Sequence, residues 1–326
     1  MNEEDDHEEL KNKIDKLVIT LPKDESFGVV NYKYQGIWFP FTAIRGAIAF
    51  QKLFKAQDSD IILASLPKSG TTWLKALIFS VVNRSRYTTK NTPLLTTHPH
   101  DLVCSAEINH YRDGLPQHHL LHISQPRIFA VHTHHASLPH SVLDSNCKIV
   151  YVCRNPMDNF VSAWHFACSI KGKIGESPPL VDESFRKYCE GAASFGPFWE
   201  NVLGYWKASI ENPKKVLFMM YEDMKEDIVS ELKRLATFLG FPFTEEEEAQ
   251  GLVEEISSLC SFENLKNLKV NQNDSGSNPR VPPNAFFRNG KVGDYTHLLT
   301  PSMAEYLKKL ADDKFAGSGL VFKYAN

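Results

Sequence analysis

Ile61-Ile-Leu-Ala-Ser-Leu-Pro-Lys-Ser-Gly-Thr-Thr-Trp73 is followed by Leu74-Lys-Ala-Leu-Ile-Phe-Ser-Val-Val82. Five residues of apolar run give way to a polar turn. Beyond it Trp73, Leu74, Leu77, Ile78, Val81 and Val82 recur at three-and-four spacing, as on one helix face. A continuous apolar strand, a glycine turn and a helix form the opening unit of a parallel α/β sheet. Gly70 allows a tight backbone turn, and the amides beyond it, with the helix N-terminus, are able to hold an anion. Lys68 adds a mobile cation, and Ser69, Thr71 and Thr72 add hydroxyls. An ordinary strand-to-helix turn with a threonine cap fits the same residues. The nucleoside triphosphate loop does not, because it needs G-x-x-x-x-G-K-[ST], and here the lysine precedes the glycine. No G-x-G-x-x-G is present, which removes the main support for a dinucleotide dehydrogenase.

Outward from that stretch the pattern repeats. Ile128-Phe-Ala-Val131 ends in His132, Lys148-Ile-Val-Tyr-Val-Cys153 in Arg154, and the last run is Val216-Leu-Phe-Met-Met-Tyr221. The expected fold is one α/β domain over 1–326, with a central parallel sheet flanked by helices and a P-loop-like strand-loop-helix. Ligands of open α/β sheets bind at the carboxyl ends of the strands. That draws attention to Lys68, His132, Arg154 and Tyr221, each just past a strand. Residues 1–20, acidic at the start, are expected to be a flexible N-terminus. Residues 271–295, rich in Asn, Ser, Pro and Gly, read as a lid-like loop.

Composition narrows the function classes. The 326 residues are 42% hydrophobic and 23% charged, which excludes a largely disordered chain. With 36 basic and 39 acidic side chains the formal charge is −3, without the basic excess of a dedicated nucleic-acid binder. The six cysteines include no C-x-x-C pair, so they read as reduced thiols. No apolar run approaches the roughly 18 residues of a membrane span, and no secretory leader is evident. A cytoplasmic protein without nucleic-acid or membrane partners is expected.

Three motifs together resemble a family. Leu66-Pro-Lys-Ser-Gly-Thr-Thr-Trp73 resembles the 5′-phosphosulfate loop of cytosolic sulfotransferases, which use 3′-phosphoadenosine 5′-phosphosulfate (PAPS). Tyr151-Val-Cys-Arg-Asn-Pro-Met-Asp-Asn-Phe-Val-Ser162 resembles their 3′-phosphate motif, and Arg288-Asn-Gly-Lys-Val-Gly-Asp294 their C-terminal signature. Order and spacing fit from about Tyr34 to Phe322, and Cys260-Ser-Phe-Glu-Asn-Leu265 is similar to the plant, flavonol sulfotransferase-like branch.

The resemblance implies a set of roles. Lys68 stabilises charge on the leaving phosphate, and Ser69, Gly70, Thr71 and Thr72 hold the 5′-phosphate while Trp73 stacks on adenine. Arg154 and Ser162 grip the 3′-phosphate, joined by Arg288, Asn289 and Gly290. Tyr221, Ser261 and Phe262 line the adenine pocket. Of the histidines in Val131-His-Thr-His-His-Ala-Ser-Leu-Pro139, the family places its base 22 residues before the motif arginine, which is His132 (154 − 132 = 22). Sulfonate then passes in line to the hydroxyl of a small acceptor, and no metal is required. A zinc site on His132 and His134 lacks a carboxylate or cysteine at ligand spacing. Phe166, Tyr34 and Trp38 are the candidate acceptor pocket, with Phe27, Phe39, Tyr111 and Trp164 as further aromatics. Flavonols lead among acceptors, with hydroxysteroids, hydroxyjasmonate and desulfoglucosinolates as alternatives.

Two departures stand out. Asn289 occupies a position where many members have lysine. The animal dimer motif is reduced to Thr296 through Glu305, with Pro301 at its valine position, so a monomer is expected. The competing classes are a phosphotransferase using ATP, which would need a magnesium carboxylate near the loop, and a catalytically silent nucleotide-binding module.

Overall fold

The computed structural model describes residues 3–117, 124–272 and 281–324. Part of the expected lid, residues 273–280, lies outside the described residues. The chain falls into two compact units, one of residues 1–66, 104–149 and 180–216, the other of residues 67–103, 150–179 and 217–326.

The first unit opens with a helix, Glu3–Thr20, which corrects the expectation of a flexible tail. Its apolar positions explain the difference: Ile14 and Val18, four apart on one face, are buried at 1% and 2% exposure. Arg45 also pairs with Asp15. Three antiparallel strands follow, β1 (Lys23–Ser26), β2 (Val29–Tyr34) and β3 (Ile37–Pro40), none of which carries a long apolar run. Their signal is a turn: Gln35 and Gly36 adopt φ of 50° and 85°, the paired left-handed conformation that joins tight hairpins.

The central sheet is parallel, as expected, and comprises β4 (Ile61–Ser65), β5 (Ile128–Val131), β6 (Lys148–Cys153) and β7 (Val216–Met220) in the order β5-β4-β6-β7. Ile61 pairs with Ile128 and Ala64 with Val131 in parallel register. All of β4 and β7 and all but the first residue of β5 and β6 are buried, which is why these strands read as continuous apolar runs.

In the second unit the helix Thr71–Asn83 leaves the glycine turn as its periodicity predicts. The helix Ile228–Leu239 ends at Gly240, whose φ of 83° supplies the left-handed cap. Thr244 and Glu247 form a reciprocal capping box on Glu245–Ala249, so the glutamate run serves a helix terminus. The helix Pro301–Phe315 follows the segment that carries Arg288. Among the described residues no helix is long and apolar enough to cross a membrane, and no group of three or more His, Cys, Asp or Glu is placed to hold a metal ion.

Candidate functional site

Lys68 and Gly70 make the turn after β4 with φ of 70° and 112°. Gly70 precedes the first helical residue and no side chain caps this helix, so its first amides face the turn. A Cβ at Gly70 would sit 2.9 Å from Cδ2 of Tyr221, so ring and backbone pack too closely for any larger residue. Ser69 is buried and fixed by Asn159, whose Nδ2 donates to Ser69 Oγ at 3.0 Å and to Pro67 O at 2.9 Å.

Lys68 points its ammonium over the Phe166 ring, 4.0 Å from the centroid, with Phe286 at 5.4 Å. Burial lowers its pKa from the usual lysine value to about 7, and the charges of Arg154 and Arg288 add to the shift. Three cations therefore share one neighbourhood.

Arg154 is 6% exposed. Its Nη2 donates to Lys291 O at 2.6 Å and lies 3.6 Å from Asp158, while its guanidinium stands 4.6 Å over the Tyr221 ring. Arg288 pairs with Asp294. The Nε atoms of both arginines are buried with no hydrogen-bond partner among the described residues, and so is Nε1 of Trp73. Buried donors left in this state are unfavourable until a ligand accepts from them. Trp73 packs edge-on to Tyr221 at 5.7 Å. Ser162 and Phe166 lie one turn apart on the helix Pro156–Lys173. Ser261 Oγ caps the helix Phe262–Asn267, and a Cβ at Gly290, φ 62°, would meet the Phe262 ring at 2.5 Å.

Asn289 donates from Nδ2 to Asp294 Oδ1 at 2.8 Å, so the residue that replaces lysine steadies the carboxylate partner of Arg288. Sequence reasoning missed Asp158, which is fully buried. It accepts from the amides of Gly293 at 2.8 Å and Tyr295 at 3.1 Å, and from Asn155 Nδ2 at 3.0 Å. The available signal was the Asn155 cap three residues earlier, whose Oδ1 accepts from the Asp158 amide.

His132 belongs to the first unit, as do Tyr34, Trp38, Phe27, Phe39 and Tyr111, whereas the donor-site candidates, Phe166 and Trp164 lie in the second. The imidazole Nδ1 is 2.7 Å from Ser65 O. A carbonyl only accepts, so Nδ1 carries the proton and Nε2 is the basic nitrogen of the neutral ring. Glu107, fully buried and also missed, accepts from the amides of His132 at 2.7 Å and Thr133 at 3.0 Å. Asn201 Nδ2 donates to His132 O at 3.0 Å. Phe195, held at φ 61°, packs 5.1 Å from the His132 ring and 5.7 Å from Phe39 of β3. A bulky residue in that conformation is strained, and the packing around the ring has to hold it there. His134 is buried with its pKa lowered to about 4 and bonds Phe195 O at 3.1 Å, a structural role. On the hairpin, Tyr34 OH accepts from Gln35 at 3.2 Å and the Lys33 ammonium lies 5.2 Å over Trp38.

The sulfotransferase domain model matches residues 58–319. The chain belongs to the cytosolic sulfotransferase family. Cytosolic sulfotransferase 15 of Arabidopsis thaliana is 45% identical over 325 residues, covering 98% of this chain and 89% of that protein. A crystal structure of an Arabidopsis thaliana sulphotransferase superposes with a TM-score of 0.76 at 39% identity, over 97% of each chain. Mouse sulfotransferase SULT7A1, complexed with PAP, gives a TM-score of 0.70 at 27% identity, over 88% of this chain and 95% of that one. This protein is therefore a sulfotransferase, and its three sequence motifs sit within the matched region.

Proposed function

We propose that this sulfotransferase transfers a sulfonate group from PAPS to the hydroxyl of a small phenolic acceptor, with flavonols first among candidates. The observation that carries the reading is the cluster of Lys68, Arg154 and Arg288, in which burial and then the charges of the two arginines hold the lysine's pKa down to about 7. The residues fit a ligand with a phosphate at each end. The glycine turn offers amides and hydroxyls on one side, and two buried, unpartnered guanidinium nitrogens wait on the other. Guanidinium is the best fork for phosphate. Trp73 and Tyr221 supply aromatic surface for the adenine base. The complex of mouse SULT7A1 with PAP supports the same donor.

When bound, the donor supplies an activated sulfonate whose bond to the 5′-phosphate oxygen breaks as the acceptor oxygen bonds to sulfur. His132 takes the acceptor proton at Nε2, a contribution of about 10²–10⁴-fold for a positioned base. Lys68 meets the charge that develops on the phosphate, as preorganised electrostatic groups do. Phe166, Tyr34 and Trp38 receive the acceptor ring, and no metal takes part. We read the enzyme as a cytosolic monomer acting on small molecules. Flavonols lead through the resemblance to the plant branch, and an acceptor panel with hydroxysteroids, hydroxyjasmonate and desulfoglucosinolates would rank them.

Calorimetric titration with adenosine 3′,5′-bisphosphate, beside AMP and ATP and without added metal, tests the donor. Tight binding of the bisphosphate alone is expected. Equal or better binding of ATP would overturn the reading in favour of a phosphotransferase.

A further inference from the structure

We propose that His100 is a positioning residue, wired to Lys75, that turns the Thr72 hydroxyl into a donor aimed at the anion of the glycine turn. Thr72 and Lys75 lie three apart in the first turns of the helix Thr71–Asn83, on neighbouring positions of one face. Lys75 is 1% exposed, yet it sits among the apolar residues of that helix rather than in the arginine cluster. Its Nζ stands 3.0 Å from His100 Nδ1, and His100 Nε2 stands 2.9 Å from Thr72 Oγ1.

The chemistry of the three groups sets the direction of the chain. An ammonium has hydrogens to give and no lone pair, so Nδ1 of His100 accepts. Its proton then sits on Nε2, and Nε2 donates to Thr72 Oγ1. A hydroxyl that receives a hydrogen bond on oxygen keeps its own hydrogen for another acceptor. Thr72 occupies the second helical position, where the backbone amides and the helix dipole already favour negative charge. Without the lysine the ring is able to adopt the other tautomer and accept from Thr72, which would turn the hydroxyl hydrogen away from the anion.

The ring is held in place for this task. Phe286 lies against His100 with centroids 4.2 Å apart and planes 31° from parallel, and His98 lies 5.3 Å away on a similar tilt. His98 Nδ1 also accepts from the His100 amide at 3.1 Å. The buried lysine thus acts on ligand affinity through an imidazole without touching the ligand. The inference rests on the proposed reading that a phosphate occupies the turn.

The test compares two ligands in the full chain, adenosine 3′,5′-bisphosphate and adenosine 3′-monophosphate, which lacks the 5′ group. His100→Phe, which keeps a ring against Phe286, is expected to weaken the bisphosphate roughly tenfold, the worth of one hydrogen bond to a charged group. The monophosphate should bind as it does to the unaltered chain. Lys75→Met is a second way to cut the relay and should give the same split. His100→Gln, with an acceptor and a donor on a flat amide, should restore most of the affinity. In a Thr72→Val background His100→Phe should have no further effect. Equal weakening of both ligands would mean general loosening of the helix and would overturn the proposal, as would an unchanged bisphosphate affinity. An unaltered chain that does not prefer the bisphosphate to AMP and ATP sinks the functional reading as well, a result distinct from either.

Discussion

Residues 67–73 and residues 286–295 both belong to the second unit, and to them we assign the two phosphate ends of the donor. They are built in opposite ways. The first is shaped by backbone: two left-handed residues, a glycine too close to a tyrosine ring for any Cβ, and a helix that starts without a side-chain cap. The second has only short 3₁₀ turns and is held by side chains reaching in from elsewhere. Asp158 bonds two of its amides, Arg154 bonds its Lys291 carbonyl, and Asn289 and Arg288 converge on Asp294. A segment of the first kind carries most of its shape in its own backbone, with Asn159 adding one clamp on Pro67 O and Ser69 Oγ. One of the second kind borrows its shape from a helix more than a hundred residues earlier in the chain.

The largest effect is therefore expected at Asp158. Asp158→Ala removes a buried carboxylate from two amides, an asparagine and an arginine, and breaking such a site costs about 3–5 kcal/mol. Urea unfolding would read that loss. The contrast between the two segments would be visible in ligand fragments, with adenosine 3′-monophosphate losing its affinity and AMP, which engages the glycine turn, keeping its own. Parallel loss of both would show that the two segments depend on the same pins and would break the comparison.

The same contrast explains what was legible in the sequence. The parallel sheet, the glycine turn and the helix after it follow from local apolar runs and periodicity. Lys68, Arg154 and Tyr221 stood out because each lies just past a strand. Asp158, Glu107 and Phe195 did not, because their importance lies in partners distant along the chain and in a backbone angle that no residue type announces. The N-terminal helix escaped for a different reason. Its acidic start masks two apolar residues, Ile14 and Val18, which only burial reveals as an anchoring face.

A smaller effect should come from pH. In the ligand-free protein Lys68 has a pKa of about 7, lowered by burial and by the nearby arginines. An anion beside it favours the ammonium, so the pKa in the complex is higher. A group whose pKa rises on binding contributes its full affinity below the lower pKa and loses it as pH rises toward the upper one. Bisphosphate affinity should accordingly be greatest at or just below pH 7 and fall above it, by up to about tenfold per pH unit for one coupled proton. Titrations between pH 7 and pH 9 would show the slope, and Lys68→Met should flatten it. A slope that survives this substitution would place the titrating group elsewhere and remove the charged side chain from the account of the first segment.

The smallest effect is expected at Asn289, where the two designs meet in one exposed residue. Its amide steadies Asp294, and Asp294 in turn holds Arg288. Asn289→Lys exchanges that hydrogen bond for a cation beside the second segment. The lost bond costs about 0.5–1.5 kcal/mol of stability, while an exposed charge contributes at most about 1 kcal/mol to holding a phosphate. Bisphosphate affinity should therefore rise by no more than about fivefold in dilute buffer, and the gain should disappear at high salt, where the Debye length shrinks to about 3 Å near 1 M. A gain that persists in salt would mean that the lysine reaches a buried phosphate site directly. A fall in affinity would mean that the asparagine's hold on Asp294 matters more than an added charge, and the second segment would then depend on its internal pins even at its exposed edge.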